Sequence, residues 1–275
     1  MQFPPADRTL VCADHTHHFA QTGSGATTVV LIHGSLCDYR YWRWQLNGLS
    51  DTFRVIAPSL RGYWPNAFTR ADAKFSIAQH ARDLRVFISG INAGRPVHLV
   101  GHSRGAQVTL ELALAAPDLV ASLTLADPGF RLAGEAEAPL PHRDMAALLQ
   151  GDDADAALSG FVDRVNGAGT WRQMTSWFKT MVRDNAATLL SQAQEPQPVV
   201  DPAHFADLPF PLLLLGGANS PSRYRTRLDA LSLACPQAHR VTIPLAAHGM
   251  NLANPRAFNT ALSSFVENTE IYTRV

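Results

Sequence analysis

The most distinctive pattern in the chain is a serine between two glycines, in the segment Gly101-His102-Ser103-Arg104-Gly105. An apolar, strand-like stretch from Val97 to Val100 precedes it, and the residues from Ala106 to Ala116 have the composition of a helix. A serine on such a sharp strand-to-helix turn is lifted above the sheet, and small residues two positions away let the backbone segments pass closely. The N-terminus of the helix favours negative charge that develops beside it. We therefore expect Ser103 to be a nucleophile.

A serine hydroxyl is a weak nucleophile, so it needs a base to accept its proton. The chain has 11 histidines, and position has to select among them. His248 follows the last predicted strand, and loops that follow parallel strands share the sheet edge that also carries Ser103. We therefore expect His248 to be the base. Eight histidines are expected to lie in the core or at the surface: His15, His17, His18, His80, His98, His142, His204 and His239.

A third group must orient the imidazole and stabilise its charged form. Two positions compete for this role. Asn219 follows the predicted strand at 212–215, but an asparagine supplies no negative charge. Asp127 ends the predicted strand at 121–126, whose loop emerges at the same sheet edge. We therefore predict Asp127 as the acid, although an aspartate can also simply cap the turn formed by Pro128 and Gly129.

Acyl transfer also requires donors for the oxyanion that forms on the attacked carbonyl. The backbone N–H groups of Arg104 and of Ser35, in the loop after the strand at 27–32, are the predicted donors. Losing one such donor typically costs about 10²–10³ in rate. The Arg104 side chain can meet either an acidic substrate or a nearby carboxylate. We expect His33 to brace the loop.

The substrate pocket is expected to be apolar and aromatic. Its predicted wall includes His33, Leu36, His102 and Trp177. Trp42, Trp44, Trp64, Trp171 and Phe178 also lie in segments that can face it, although each is individually more typical of a protein core.

Short apolar strands alternate with helical stretches along most of the chain, which predicts βαβ units and a parallel sheet. Strands are predicted at 27–32, 53–58, 97–100, 121–126, 210–215 and 240–244, and helices at 77–91, 106–116, 223–233 and 255–266. Between about 130 and 200 the strand signals fade, and helical patches appear at 145–150, 154–165 and 171–190. We predict a core domain at 1–129 and 201–275 with a helical cap insertion at 130–200. Pro196, Pro198 and Pro202 mark the return to the core.

The overall composition excludes several classes of protein. Hydrophobic residues make up 46% and charged residues 17% of the chain, which is typical of a globular protein. The 23 basic residues balance the 23 acidic ones, so no charge pattern favours nucleic acid or an anionic membrane. The three cysteines, Cys12, Cys37 and Cys235, are scattered and indicate no disulfide framework or zinc site. No leader or membrane span is apparent, and we expect a cytoplasmic protein.

These motifs together resemble the α/β-hydrolase superfamily, in its esterase, lactonase and C–C hydrolase branch. The segments that carry the resemblance are LIHGS at 31–35, VIAPSLRGY at 55–63, LVGHSRG at 99–105, LADPG at 125–129, LLLLGGANSP at 212–221 and IPLAAHGMNLANP at 243–255. The resemblance implies an α/β fold with an eight-stranded, mostly parallel sheet, a helical cap, a small-molecule substrate and no cofactor. The chain departs from the family at Asn219, where many relatives have an aspartate, and at Tyr63-Trp64-Pro65, which can alter the pocket wall.

Three functions remain open on this evidence. Hydrolysis of an ester or lactone through Ser103, His248 and Asp127 is the first. The second is a cofactor-free His–Asp dyad enzyme, such as a C–C hydrolase, lyase or oxygenase, in which the serine only assists. The third is a non-catalytic binding protein, since fold alone does not establish activity. Haloalkane dehalogenase and epoxide hydrolase chemistry is disfavoured, because those relatives carry aspartate at the position of Ser103.

Overall fold

A computed structural model describes residues 6, 8–12, 14–67, 75–136, 146, 149, 154–196 and 199–273. Of the residues singled out in the sequence, His142 and Pro198 lie outside this set. Most of the helical patch predicted at 145–150 also lies outside it, although Ala146 and Leu149 are described and are helical.

One eight-stranded sheet organises the molecule. Its strands are β1 (Arg8–Cys12), β2 (His15–Thr22), β3 (Thr28–Ile32), β4 (Arg54–Pro58), β5 (Val97–His102), β6 (Val120–Ala126), β9 (Leu212–Gly217) and β10 (His239–Ile243), in the spatial order β1-β2-β4-β3-β5-β6-β9-β10. From β4 to β10 every neighbouring pair is parallel, and β2 pairs antiparallel with both β1 and β4. The predicted eight-stranded, mostly parallel sheet is confirmed.

The central strands are apolar because both of their faces are covered. Every residue of β3 and of β5 is buried. Successive side chains of a strand point to opposite faces. Accordingly, Val29 and Leu31 belong to one apolar cluster and Val30 and Ile32 to the other.

Helices cover both faces of the sheet. The α-helices whose bounds the structure describes are α1 (Arg43–Gly48), α2 (Ile77–Ile91), α3 (Arg104–Ala115), α4 (Ala154–Asn166), α5 (Thr170–Gln173), α6 (Ser176–Asp184), α7 (Thr188–Gln194), α8 (Ser222–Ala234), α9 (Met250–Ala253) and α10 (Pro255–Thr273). Side chains of α2, α3 and α8 belong to one apolar cluster, and side chains of α1 and α10 belong to the other. No helix in the described part of the chain is long and apolar enough to cross a bilayer.

The segment between β6 and β9 differs from the prediction in detail. The helix expected at 171–190 is three helices, α5 to α7. The break after α6 lies at Asn185, whose side-chain amide donates both to the Met181 carbonyl and to the carboxylate of Asp38 in the core. A two-stranded sheet, β7 (Arg131–Leu132) with β8 (Val199–Val200), joins the two ends of the segment in parallel. Two residues per strand are too few to produce a recognisable alternation in the sequence.

Candidate active site

Ser103 occupies the turn between β5 and α3. Its φ of 52° and ψ of −115° lie in a region that non-glycine residues rarely adopt. The two flanking glycines explain how the turn fits. A Cβ on Gly101 would lie 2.4 Å from the Gly105 carbonyl oxygen, and a Cβ on Gly105 would lie 2.3 Å from the Ile32 carbonyl oxygen. Any larger residue at either position would displace the turn.

Asp127 and His248 form a buried pair. The Nδ1–H of His248 donates to Oδ2 of Asp127 at 3.2 Å, and both side chains are almost completely buried. The same carboxylate oxygen accepts from the Ser220 hydroxyl at 2.5 Å. Because Nδ1 carries the proton in this arrangement, Nε2 of His248 is the nitrogen that is able to accept one.

The sheet register places Asp127 in the pair and keeps Asn219 out of it. Asp127 directly follows β6, which lies between β5 and β9, and its backbone N–H donates to the Leu215 carbonyl in β9 at 2.9 Å. Asn219 is exposed, and its backbone N–H donates to the Ala246 carbonyl at 2.8 Å. The structure therefore pairs His248 with Asp127, the aspartate that the sequence favoured.

Burial dominates the protonation of the pair. It raises the pKa of Asp127, while the Ser220 hydroxyl opposes that rise by donating to the charged carboxylate. Burial lowers the pKa of His248, and the positive charges of Arg223 and Arg227 lower it further. The imidazole is therefore neutral near pH 7, as a proton acceptor must be.

Ser103 and His248 both line one cavity of about 560 Å³. Within the described residues, no hydrogen bond joins the Ser103 hydroxyl to the imidazole, whereas the bond from His248 to Asp127 is formed. Hydrogen bonds between catalytic groups often tighten only when substrate is bound. His102 packs beside His248 with ring centroids 4.5 Å apart and donates from Nε2 to the His248 carbonyl at 2.7 Å.

The loop after β3 brings Ser35 to the same place. His33 is fully buried: its Nδ1–H donates to the Gly34 carbonyl at 2.9 Å, and its Nε2 accepts from the Leu60 N–H at 3.1 Å. His33 therefore braces the loop. It was expected in the pocket wall, but it does not belong to the described wall of the 560 Å³ cavity. The Ser35 N–H has no hydrogen-bond acceptor among the residues described, and Arg104 is the first residue of α3, so its N–H has no acceptor within the helix.

The 560 Å³ cavity has a mostly apolar wall, and we call it the apolar cavity. Leu36, His102 and Trp177 line it, as expected from the sequence, together with Trp44 and Phe178. The other aromatic residues considered lie elsewhere: Trp42 is completely buried in the core, Trp64 stacks on Tyr39 at 5.8 Å, and Trp171 is absent from the described wall. Tyr63 is also completely buried and is absent from the described wall.

A second cavity, of about 450 Å³, also has Ser103 in its wall, and we call it the arginine cavity. Its described wall contains two glutamates, Glu135 and Glu195, and five arginines: Arg104, Arg131, Arg164, Arg223 and Arg227. Ser35, Ser103, Phe161 and Val165 belong to both cavities and form the boundary between them.

The structure decides between the two alternatives for the Arg104 side chain. Its guanidinium pairs with Glu195 through two contacts, of 2.5 and 2.8 Å, and both side chains are largely buried. Arg104 therefore has a carboxylate partner within the protein.

Comparison with known proteins identifies the family. Residues 29–261 match the model of the alpha/beta hydrolase family, which is more than half of the chain. The chain belongs to the α/β-hydrolase family. A thermophilic esterase from Thermogutta terrifontis superimposes with a TM-score of 0.76 over 92% of this chain and 94% of its own, at 23% identity. At that identity the likeness shows the shared fold.

Two curated relatives differ in how much of their length this α/β hydrolase matches. The (E)-2-((N-methylformamido)methylene)succinate hydrolase of Acinetobacter baylyi is 24% identical over 258 residues, which are 93% of this chain and 96% of that protein. The dihydrolipoyllysine-residue acetyltransferase component of an acetoin cleaving system from Cupriavidus necator is 37% identical over 112 residues. These are 40% of this chain, and the match spans 29% of that protein.

Three residues of the α/β-hydrolase site escaped the sequence interpretation. Ser220 bonds to Asp127, Tyr224 stacks on His248 with ring centroids 4.3 Å apart, and Gln192 accepts from the Ser35 hydroxyl at 2.7 Å. Ser220 directly follows Asn219 in the loop after β9, so its position at this sheet edge already indicated that it could lie in the site. Gln192 lies 157 positions from Ser35, and no local pattern connects the two.

Proposed function

We propose that this α/β hydrolase cleaves a carboxylic ester or a lactone of a small, largely apolar molecule. Ser103 is the nucleophile, His248 the base and Asp127 the acid. The observation that carries the proposal is the bond from His248 to Asp127 in a site where His248 and Ser103 share a cavity wall. The helices between residues 130 and 200 act as the cap that completes this wall.

The proposed reaction has two steps. The Ser103 oxygen forms a bond to the carbonyl carbon while His248 takes its proton. The bond to the leaving oxygen then breaks as His248 returns the proton to that oxygen. In the second step His248 takes a proton from water, and the water oxygen bonds to the carbonyl carbon. The bond from that carbon to the Ser103 oxygen then breaks as His248 returns the proton to Ser103. The backbone N–H groups of Ser35 and Arg104 stabilise the oxyanion in both steps.

The relatives support hydrolysis more generally than they support any one substrate. The Acinetobacter baylyi relative is named as a hydrolase, and the Thermogutta terrifontis structure is of an esterase. The apolar cavity favours a small apolar group beside the scissile bond, since the wall around it offers mainly hydrophobic contacts.

One observation favours a second candidate, a cofactor-free His–Asp dyad enzyme on the same fold. Of the two bonds that a triad requires, the described residues make the one from His248 to Asp127 and not the one from Ser103 to His248. In a dyad enzyme the serine hydroxyl assists without forming an acyl-enzyme.

Replacing the serine separates these two candidates. Ser103→Ala should abolish hydrolysis of a p-nitrophenyl ester and labelling by a fluorophosphonate probe, because both require the nucleophilic oxygen. Ser89→Ala, an exposed serine on α2, is the matched control and should behave as wild type. Full ester hydrolysis by Ser103→Ala would reject Ser103 as the nucleophile.

A further inference from the structure

In the described wall of the arginine cavity, five arginines outnumber two glutamates. Arg104 pairs with Glu195, and Arg227 makes a bidentate contact with Glu135 at 2.9 Å. The two glutamates of the described wall are therefore both occupied, and three further arginines remain in that wall.

Two of these arginines have no carboxylate partner among the residues that the structure describes. Arg223 donates from one terminal nitrogen to the carbonyls of Arg164 and Val165, at 2.9 and 3.2 Å, and lies over the Tyr224 ring at 4.6 Å. The Nε of Arg131 is buried and without a hydrogen-bond partner in that same set of residues. A buried guanidinium nitrogen left unpaired is costly, so a site that keeps one is suited to receive an anion.

Helix α8 adds to the positive potential. Its first two residues, Ser222 and Arg223, lie in the cavity wall, and its N-cap residue, Pro221, makes no side-chain hydrogen bond to the first turn. The N-terminus of a helix carries a partial positive charge, so a basic residue there is unfavourable until an anion is nearby. The helix terminus and the two arginines therefore favour the same kind of ligand.

The position of His248 decides which part of the substrate enters this cavity. His248 has to return its proton to the leaving oxygen, and among the described walls it belongs to the apolar cavity alone. The alcohol part of an ester therefore lies in the apolar cavity. The acyl part stays bonded to Ser103, and the arginine cavity, whose wall also holds Arg131 and Arg223, is the space left for it.

We propose that the arginine cavity binds a carboxylate carried by the acyl part of the substrate, so that the preferred substrates are half-esters of dicarboxylic acids with an apolar alcohol. The inference rests on the proposed ester hydrolysis and adds the class of substrate. The planar guanidinium of arginine matches a carboxylate with two parallel hydrogen bonds, which gives orientation as well as affinity.

Two esters with the same leaving group and acyl chains of equal length test the proposal. They are p-nitrophenyl hexanoate and mono-p-nitrophenyl adipate, which differ only in the terminal carboxylate. Wild-type protein should hydrolyse the adipate half-ester with a kcat/KM about tenfold higher, since charge-assisted hydrogen bonds are the stronger ones. Equal kcat/KM values for hexanoate and adipate esters would overturn the proposal.

Arginine variants test where in the arginine cavity the carboxylate binds, a position that we call the subsite. Arg223→Gln and Arg131→Gln should each lower the ratio of the adipate to the hexanoate kcat/KM by about tenfold. The ratio cancels any effect of Arg223 on His248, because both esters need the same base. Arg225→Gln is the matched control, since Arg225 is an exposed arginine on the same helix and absent from the described cavity walls. A ratio unchanged in Arg223→Gln would reject the subsite.

A binding measurement separates failure of this inference from failure of the proposed function. Free adipate should raise the melting temperature of the wild-type protein and of Arg225→Gln more than free hexanoate does, and this difference should disappear in Arg223→Gln. This readout needs no turnover. Ser103-dependent hydrolysis without any preference for the adipate ester overturns only the subsite. Adipate binding without hydrolysis keeps the subsite and overturns the proposed ester chemistry.

Discussion

Two cavities meet at Ser103, and their described walls differ in charge and polarity. The apolar cavity is built by the loop after β3 and by α4 to α6, with Leu36, Trp177 and Phe178 in its wall. The arginine cavity is built by α3, β7 and α8, and its described wall holds five arginines and two glutamates. The difference indicates that a molecule bound at Ser103 meets an apolar wall in one cavity and a charged wall in the other.

The largest expected effect concerns the pair of Asp127 and His248, which is proposed to act on substrates in either cavity. Asp127→Asn should lower kcat by about 10³–10⁴-fold, because an amide neither holds the same imidazole tautomer nor stabilises its charge. The loss should be the same for a neutral ester and for an anionic one, since the pair serves both. Steady-state kinetics with both esters measures it.

Asn219→Ala is the control for that measurement, because Asn219 is exposed and occupies the competing position. Activity lost in Asn219→Ala and retained in Asp127→Asn would contradict the assignment of the acid.

An intermediate effect is expected from the apolar cavity. Trp177→Ala should lower kcat/KM for a p-nitrophenyl ester by about tenfold, since truncation removes buried apolar contact with the aryl group. A methyl ester of the same acid should be affected less. Trp171→Ala is the matched control, since Trp171 contacts Lys179 and Arg183 and is absent from the described cavity walls. Equal losses in both variants would indicate a general loss of stability.

The smallest expected effect is a shift in pH dependence. The Ser220 hydroxyl donates to the charged form of Asp127 and so opposes the rise of its pKa. Ser220→Ala should raise the pKa of Asp127, so that activity is lost at a higher pH as the pH falls. The loss of kcat at neutral pH should be about fivefold, a typical value for one hydrogen bond.

A pH–rate profile of kcat/KM from pH 5 to 9 measures this shift. The displacement should have the same size for neutral and anionic esters. An acid limb that stays in place in Ser220→Ala would show that the hydroxyl does not control the carboxylate.

Much of the fold was predictable because its signals are local. The strand β3 and the helix at Ile77–Ile91 are predicted by hydrophobic patterns in short, continuous stretches of sequence. The β1–β2 hairpin was harder, because β2 reads HTHHFAQT and carries polar residues on a strand. The short pair of β7 and β8 lacks any pattern of its own, and its strands are brought together only when the segment between them folds.

By itself, the sequence determined the turn that carries Ser103, because Gly101 leaves room for the Gly105 carbonyl within the turn and Gly105 leaves room for the Ile32 carbonyl of the neighbouring strand. The sequence also predicted the position of His248, because loops that follow parallel strands emerge at the same edge of the sheet. Only the tertiary structure decided that Asp127 reaches His248, that Ser220 supports it, and that Arg104 is paired with Glu195 while Arg223 is not paired with a carboxylate in the described chain. The physical reason is distance along the chain: these contacts join residues that are 91 to 121 positions apart, and their partners are selected by packing between elements.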